Sequence, residues 1–269
     1  MNITHTKKYY KELARRARLK VLSMIHLAGT SHIGSNFSCM DIMTVIFSKL
    51  NLDKNLKADR DRFVLSKGWV AASLYFFLSE KGIIPKKDLE EYCIGYSKYI
   101  GLAEPEVRGV EVAGGAMGHG LPNAVGMALA AKRAEEKWKT YVLMSDGELD
   151  CGTTWECAAI AAHNKLDNLI VIVDSNGFQA MGTKKEVLDM EPLPDKWKAF
   201  NWNVVEVDGH DFKQIEKALV NKVKGKPLIV IGRTVKGKGV SFFEKKLEWH
   251  YKNVDKENYE KAKAELMAN

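Results

Sequence analysis

The chain has 269 residues, 46% of them hydrophobic and 28% charged, with a net charge of +7. This is an ordinary globular composition, long enough to bury a core without disulfide or metal staples. No membrane is expected, since the longest apolar stretch, Val70 to Leu78, is far below the ~18 residues of a spanning helix, and no nucleic acid, since Lys and Arg are spread end to end without an arginine-rich block.

Taken in chain order, apolar spacing predicts helices over 6–28 and 39–50, a short strand at Arg62–Leu65, and helices over 69–81, 87–96 and 119–136. Strand Thr140–Met144, helix 152–164, strands Leu169–Val173 and Val204–Val207, helix 211–224, strand Leu228–Ile231 and helix 255–267 follow. With no internal repeat and no Ser/Pro-rich linker, residues 1–269 read as one domain. The runs YVLM, LIVIV and LIVI are apolar at consecutive positions, whereas a strand wetted on one face would alternate. The expected fold is therefore α/β, a parallel sheet flanked by helices on both faces. Ligands of such sheets sit at the carboxyl ends of strands, which points to the loops after Met144, Val173 and Ile231.

Two of those loops carry hard oxygen donors. Asp146 follows one strand, in Ser145-Asp146-Gly147-Glu148, and Asn176 follows another, in Asp174-Ser175-Asn176-Gly177-Phe178, with 29 positions between Asp146 and Asn176. Either Asp-Gly or Asn-Gly alone is a common turn. At equivalent strand ends, one carboxylate and one amide suit Mg²⁺ or Ca²⁺ if a diphosphate completes the oxygen shell. Gly147 lets backbone N–H groups approach an anion. The stretch GGAMGHG (Gly114 to Gly120) lacks the GxGxxG spacing of a dinucleotide fingerprint, which argues against a nucleotide-binding Rossmann domain. The four cysteines, Cys39, Cys93, Cys151 and Cys157, make no CxxC pair and read as reduced thiols. The basic N-terminus has no apolar signal segment, so a cytoplasmic location is expected.

The stretch from Ser145 to Gln179 resembles the thiamine-diphosphate motif, a GDG with an Asn about 30 residues on. DRFVLSKG (Asp61 to Gly68), GVEVAGGAMGHGLPNAVGMALA (Gly109 to Ala130), DKWKAFNWNVVEVDGHD (Asp195 to Asp211), TVKGKGVSFFE (Thr234 to Glu244) and Trp249-His250 make the whole chain similar to transketolases. The resemblance implies thiamine diphosphate as cofactor with Mg²⁺ or Ca²⁺ held by Asp146, Asn176 and the carbonyl of Phe178. It implies that Gly147 donates to the diphosphate and that Gly115, Ala116 and Met117 meet the cofactor's rings, Met117 as an apolar wedge. It implies that His32, in GTSHIGSNFS, contacts substrate, that His250 meets both diphosphate and substrate, and that Glu156 belongs to a carboxylate network at a subunit interface. His119 lies where relatives carry Gln or His; His26, His163 and His210 read as structural.

This chain departs from the family pattern at four places. Trp69 and Leu102 stand where histidines are usual, Cys151 where a glutamate is usual, and Ser145 replaces the first glycine of the GDG. Two imidazoles are thus exchanged for apolar side chains near the substrate entrance, which suggests a specialised ketose or 2-oxo donor. A transketolase also needs a second domain carrying the glutamate that activates the cofactor, and the resemblance covers only the first. The expectation is an N-terminal subunit of a split transketolase, working with a separate C-terminal subunit in a two-plus-two heterotetramer and moving a two-carbon ketol unit from a ketose to an aldose. Sugars or sugar phosphates are the implied substrates. A 2-oxo acid decarboxylase or dehydrogenase subunit, or a non-catalytic cofactor-binding subunit, is the alternative.

Overall fold

The computed structural model describes residues 5–268. In chain order, α1 (Lys7–Ala28), α2 (Ile33–Ser38) and α3 (Met40–Lys49) precede β1 (Arg62–Leu65), and α4 (Ala71–Glu80) and α5 (Gly120–Arg133) precede β2 (Thr140–Ser145). Helix α6 (Gly152–His163) joins β2 to β3 (Leu169–Ser175), and α7 (Lys184–Val187) and α8 (Leu193–Ala199) lead to β4 (Asn203–Asp208). Then come α9 (Phe212–Leu219), β5 (Leu228–Arg233) and α10 (Lys256–Ala268).

All five strands are parallel, in the order β1-β2-β3-β5-β4. Successive side chains enter opposite layers. Phe63, Tyr141, Leu143, Ile170, Ile172 and Val230 join one core with α1, α3, α4 and α9. Val64, Val142, Met144, Val171, Val173 and Ile231 join the other with α5, α6 and α8. Burial on both faces is why these strands read as unbroken apolar runs, and the expected α/β sandwich is the observed one.

Chain path then makes the crevice. Helices α6 and α8 carry the chain outward along one face from β2 to β3 to β4. Helix α9 returns over the other face to place β5 between β3 and β4. The loops leaving β3 and β5 therefore diverge to opposite faces and open a gap at the carboxyl ends of the sheet.

Helix α1 begins as the sequence predicts. Thr6 caps it by accepting from the Tyr9 N–H at 3.2 Å, and Gly29, at φ 59°, ends it. Two predicted helices are corrected and one is added. The segment 39–50 is helical over Met40–Lys49 as expected, and the unpredicted α2 precedes it with a break at Cys39. Only residues 87–91 of 87–96 are helical, within one 3₁₀ segment, Lys86–Glu91. Cys93 and Gly95 adopt positive φ, and the Cys93 N–H pairs with the Tyr99 carbonyl at 2.8 Å. The helix expected over 211–224 ends at Leu219, ahead of Gly225 at φ 75° and Pro227. Among the described residues no helix is long and apolar enough to cross a membrane.

Candidate active site

Strands β2 and β3 are neighbours, with Ser145 opposite Asp174, so Asp146 and Asn176 emerge side by side. The Gly177 N–H donates to Asp146 Oδ2 at 2.7 Å, and the Phe178 N–H donates to Asn176 Oδ1 at 3.0 Å. Asp146 Oδ1 is buried without a hydrogen-bond partner among the described residues. Burial pushes the Asp146 carboxyl up to about 6, against the Gly177 N–H, which favours the anion. An enclosed carboxylate oxygen lacking a donor fits a cation. A β-carbon at Gly147 would come no nearer than 3.6 Å to its closest neighbours, Gln179 and Met117, so an oxyanion has room beside its backbone. No group of three His, Cys, Asp or Glu suited to a metal occurs among the described residues. A divalent ion here would rest on one carboxylate, the Asn176 amide and the Phe178 carbonyl, with ligand oxygens completing its shell.

Across the gap lies a cationic and imidazole cluster whose imidazoles, His32 and His250, the sequence singled out and whose lysine it missed. Lys236, in the loop after β5, is 1% exposed. Its ammonium lies 3.0 Å from His250 Nδ1 and 3.4 Å from Ser35 Oγ, and no carboxylate is within ion-pair distance among the described residues. Burial, then the nearby Lys67 ammonium, lowers its pKa to about 8. The His32 ring meets that of His250 edge-on, centroids 5.0 Å apart. The His32 backbone N–H donates to the His250 carbonyl at 3.0 Å, and His32 holds φ 71°. Burial and Lys236 lower His32 to about 4 and His250 to about 3, so both rings are neutral at pH 7. They can exchange hydrogen bonds with hydroxyl and carbonyl oxygens without bringing charge.

Lys67, just past β1, is wholly buried and ion-paired with Asp174, which also accepts from Ser38 and Thr234. Burial opposes the Lys67 charge, but Asp174 overrides it and holds the pKa above its ordinary value. This pair stitches β1, β3, α2 and the loop after β5 beneath the site. Glu148, also missed, is buried under the glycine loop. It accepts from Ser66 Oγ and, at 3.2 Å, from the Gly118 N–H, while its Oε2 has no partner. Burial raises it to about 7. The available signal was position, since Lys67, Glu148, Asp174 and Lys236 all lie within a few residues of a strand's carboxyl end.

Gly115, Ala116 and Met117 are exposed, with Met117 Sδ over Gly147. Leu102 packs towards Gly115, 3.5 Å from where a β-carbon there would sit. A β-carbon on Gly68, next to Trp69, would lie 1.8 Å from the Gly114 carbonyl oxygen, so main chain crosses main chain there. The Trp69 Nε1–H is buried without an acceptor among the described residues. Glu156 is exposed on α6 and makes no hydrogen bond or ion pair among the described residues. Of the other histidines, His26 bonds the Val254 carbonyl at 2.7 Å and His163 is exposed at the end of α6.

Comparison with known proteins agrees with this geometry. Residues 10–269 match the sequence family described as transketolase, thiamine diphosphate binding domain. The chain is 38% identical over 258 residues to one of the subunits of an apulose-4-phosphate transketolase from Phocaeicola vulgatus, covering 94% of this chain and 92% of that one. It is 35% identical over 257 residues to a 6-deoxy-6-sulfo-D-fructose transketolase subunit from a Clostridium species, covering 93% of each. The crystal structure of transketolase from Campylobacter jejuni superposes with a TM-score of 0.91 at 32% identity, covering 99% of this chain but 43% of that one. Fold and sequence agree: the chain belongs to the transketolase family of transferases, as its thiamine diphosphate binding domain.

Proposed function

We propose that residues 1–269 form one domain that binds thiamine diphosphate with Mg²⁺ or Ca²⁺ and serves, in the cytoplasm, as the N-terminal subunit of a split transketolase. The observation that carries this reading is the presence across one crevice, among the described residues, of a buried Asp146 oxygen without a donor and a buried Lys236 ammonium without a carboxylate partner. A metal diphosphate satisfies both. Asp146, Asn176 and the Phe178 carbonyl hold the ion, while Lys236 and the Gly147 N–H hold the phosphate oxygens. Gly115, Ala116 and Met117 border the ring end. The bound cofactor supplies the electron sink for breaking and remaking a carbon–carbon bond.

His32 and His250, both neutral, orient the donor's hydroxyl and carbonyl oxygens and move protons between them. Trp69 and Leu102 put apolar surface where donor and acceptor enter. The names of the two split relatives carry a phosphate and a sulfonate, which supports a ketose donor with a terminal anionic group and an aldose acceptor. Glu156 and the exposed Gly115–Met117 loop suit a contact with a separate C-terminal subunit, in a two-plus-two assembly. The test is ketol transfer from a panel of phosphorylated and sulfonated ketoses, with the chain alone and with its companion subunit. Transfer only in the reconstituted pair is expected. Robust transfer by the chain alone, or release of CO₂ from a 2-oxo acid, would overturn the assignment.

A further inference from the structure

Lys236 reaches the site from a loop whose backbone is fastened from behind by three charged or polar side chains. Arg18 on α1 forms a two-pronged pair with Asp41 on α3, at 2.9 and 2.8 Å, and both are buried. Arg18 Nε also donates to the Lys238 carbonyl at 2.9 Å. Asp41 Oδ2 lies 2.8 Å from His210 Nδ1, and His210 Nε2 accepts from the Val235 N–H at 2.9 Å. A backbone N–H can only donate, so Nε2 carries no proton here and Nδ1–H points at the Asp41 carboxylate. Val235 and Lys238, which flank Lys236, are therefore bound to one linked set of side chains, Arg18–Asp41–His210. Gly237 leaves the loop little freedom beyond this. Its N–H donates to the Gly34 carbonyl at 2.9 Å, and a β-carbon on it would fall 2.3 Å from the Phe243 carbonyl oxygen.

We infer that His210 is a positioning residue: by accepting from the Val235 N–H while anchored on Asp41, it sets the reach of Lys236 into the cofactor crevice, and so the grip on a diphosphate. The inference rests on the proposal that Lys236 meets the diphosphate. His210 touches neither cofactor nor substrate. Its two ring nitrogens do separable jobs, which two amides can imitate one at a time. His210→Gln keeps an acceptor at the height of Nε2, and His210→Asn keeps a donor at the height of Nδ1.

The test is titration of thiamine diphosphate with Mg²⁺ into the complex of this chain with its companion subunit, together with amide hydrogen exchange of residues 234–239. His210→Ala and His210→Asn are expected to weaken cofactor binding about tenfold and to speed exchange at Val235. His210→Gln should stay within about threefold of the parent. In a Lys236→Met background, His210→Asn should have no further effect on binding. A merely structural His210 would rank the variants by thermal stability, with Asn and Gln alike. Asn and Gln equal in binding, or Val235 exchange unchanged in the Asn variant, would overturn the inference. If Lys236→Met itself leaves cofactor affinity unchanged, the diphosphate reading falls and this inference with it. If Lys236→Met weakens binding and the His210 variants do not, this inference alone falls.

Discussion

Lys236→Met should make the ligand-free chain more stable and the cofactor weaker, opposite effects from one side chain. The ammonium is buried, and its pKa falls from the ordinary 10.5 to about 8, mostly by desolvation and then by Lys67. At ~1.4 kcal/mol per pH unit, keeping it charged at pH 7 costs about 3 kcal/mol. Methionine loses the bonds to His250 and Ser35, worth roughly 1 kcal/mol net, and fills a similar volume. The net gain is about 2 kcal/mol, or roughly 4–8 °C in Tm for a chain of this size. The sign follows from linkage. A depressed lysine pKa penalises folding below pH 8, and the penalty fades as pH rises towards 10.5. The gain should therefore shrink between pH 8 and 10. Losing a charge-assisted contact with phosphate oxygen should weaken thiamine diphosphate binding by about 10–100-fold, since such bonds are worth ~1.5–3 kcal/mol. Thermal unfolding of the ligand-free chain at pH 7 and 9.5, with calorimetric titration of the cofactor, measures both. A Met variant less stable than the parent at pH 7, or one binding the cofactor undiminished, would refute the reasoning.

Asp146→Asn should raise the Tm of the ligand-free chain at pH 7, because the amide still accepts from Gly177 and the burial that lifts the carboxyl to about 6 no longer opposes a charge, yet lose at least ~100-fold in metal-dependent cofactor affinity by titration. Asp174→Asn should lower stability by ~3–5 kcal/mol in chemical denaturation, since it strands the buried Lys67 ammonium; a loss under ~1 kcal/mol would contradict the ion pair's role. His32 and His250 stay neutral in the folded chain well below 6.5, so the unfolded chain binds protons first as pH falls. Stability should then drop between pH 6.5 and 5 at up to ~1.4 kcal/mol per pH unit for each ring, and a His32→Asn/His250→Asn double variant should flatten that slope in denaturant titrations.

The sheet was legible because its strands are buried on both faces, and β1 runs over the predicted Arg62–Leu65. The strand ends were not. Ser145, Asp174, Ser175, Gly232 and Arg233 extend the ladder but carry no apolar signal, and they lie where the site is built. Helix α2 escaped notice because Gly34, Ser35 and Asn36 are weak helix formers and the helix is buried all round, leaving no amphipathic stripe. The segment 87–96 shows the reverse error. Leu89 and Tyr92 have helical spacing, but that spacing serves burial against the core while the chain turns at Cys93. Asp146 and Asn176 stood out because motif and strand ends coincide. Lys236 and Lys67 passed as two more basic residues in a chain of net charge +7, since only the fold shows that one lacks a carboxylate partner and the other is neutralised.

The crossing of Gly68 over Gly114 has a consequence for redesign. Backbone packed on backbone leaves no tolerance for a methyl group at position 68, so that stretch of polypeptide is a fixed rail. The adjoining Trp69 packs against the core beside that rail, whereas the nearby Leu102 is exposed. Under the proposed function, Leu102→His is then the swap expected to alter substrate choice with the rail unmoved.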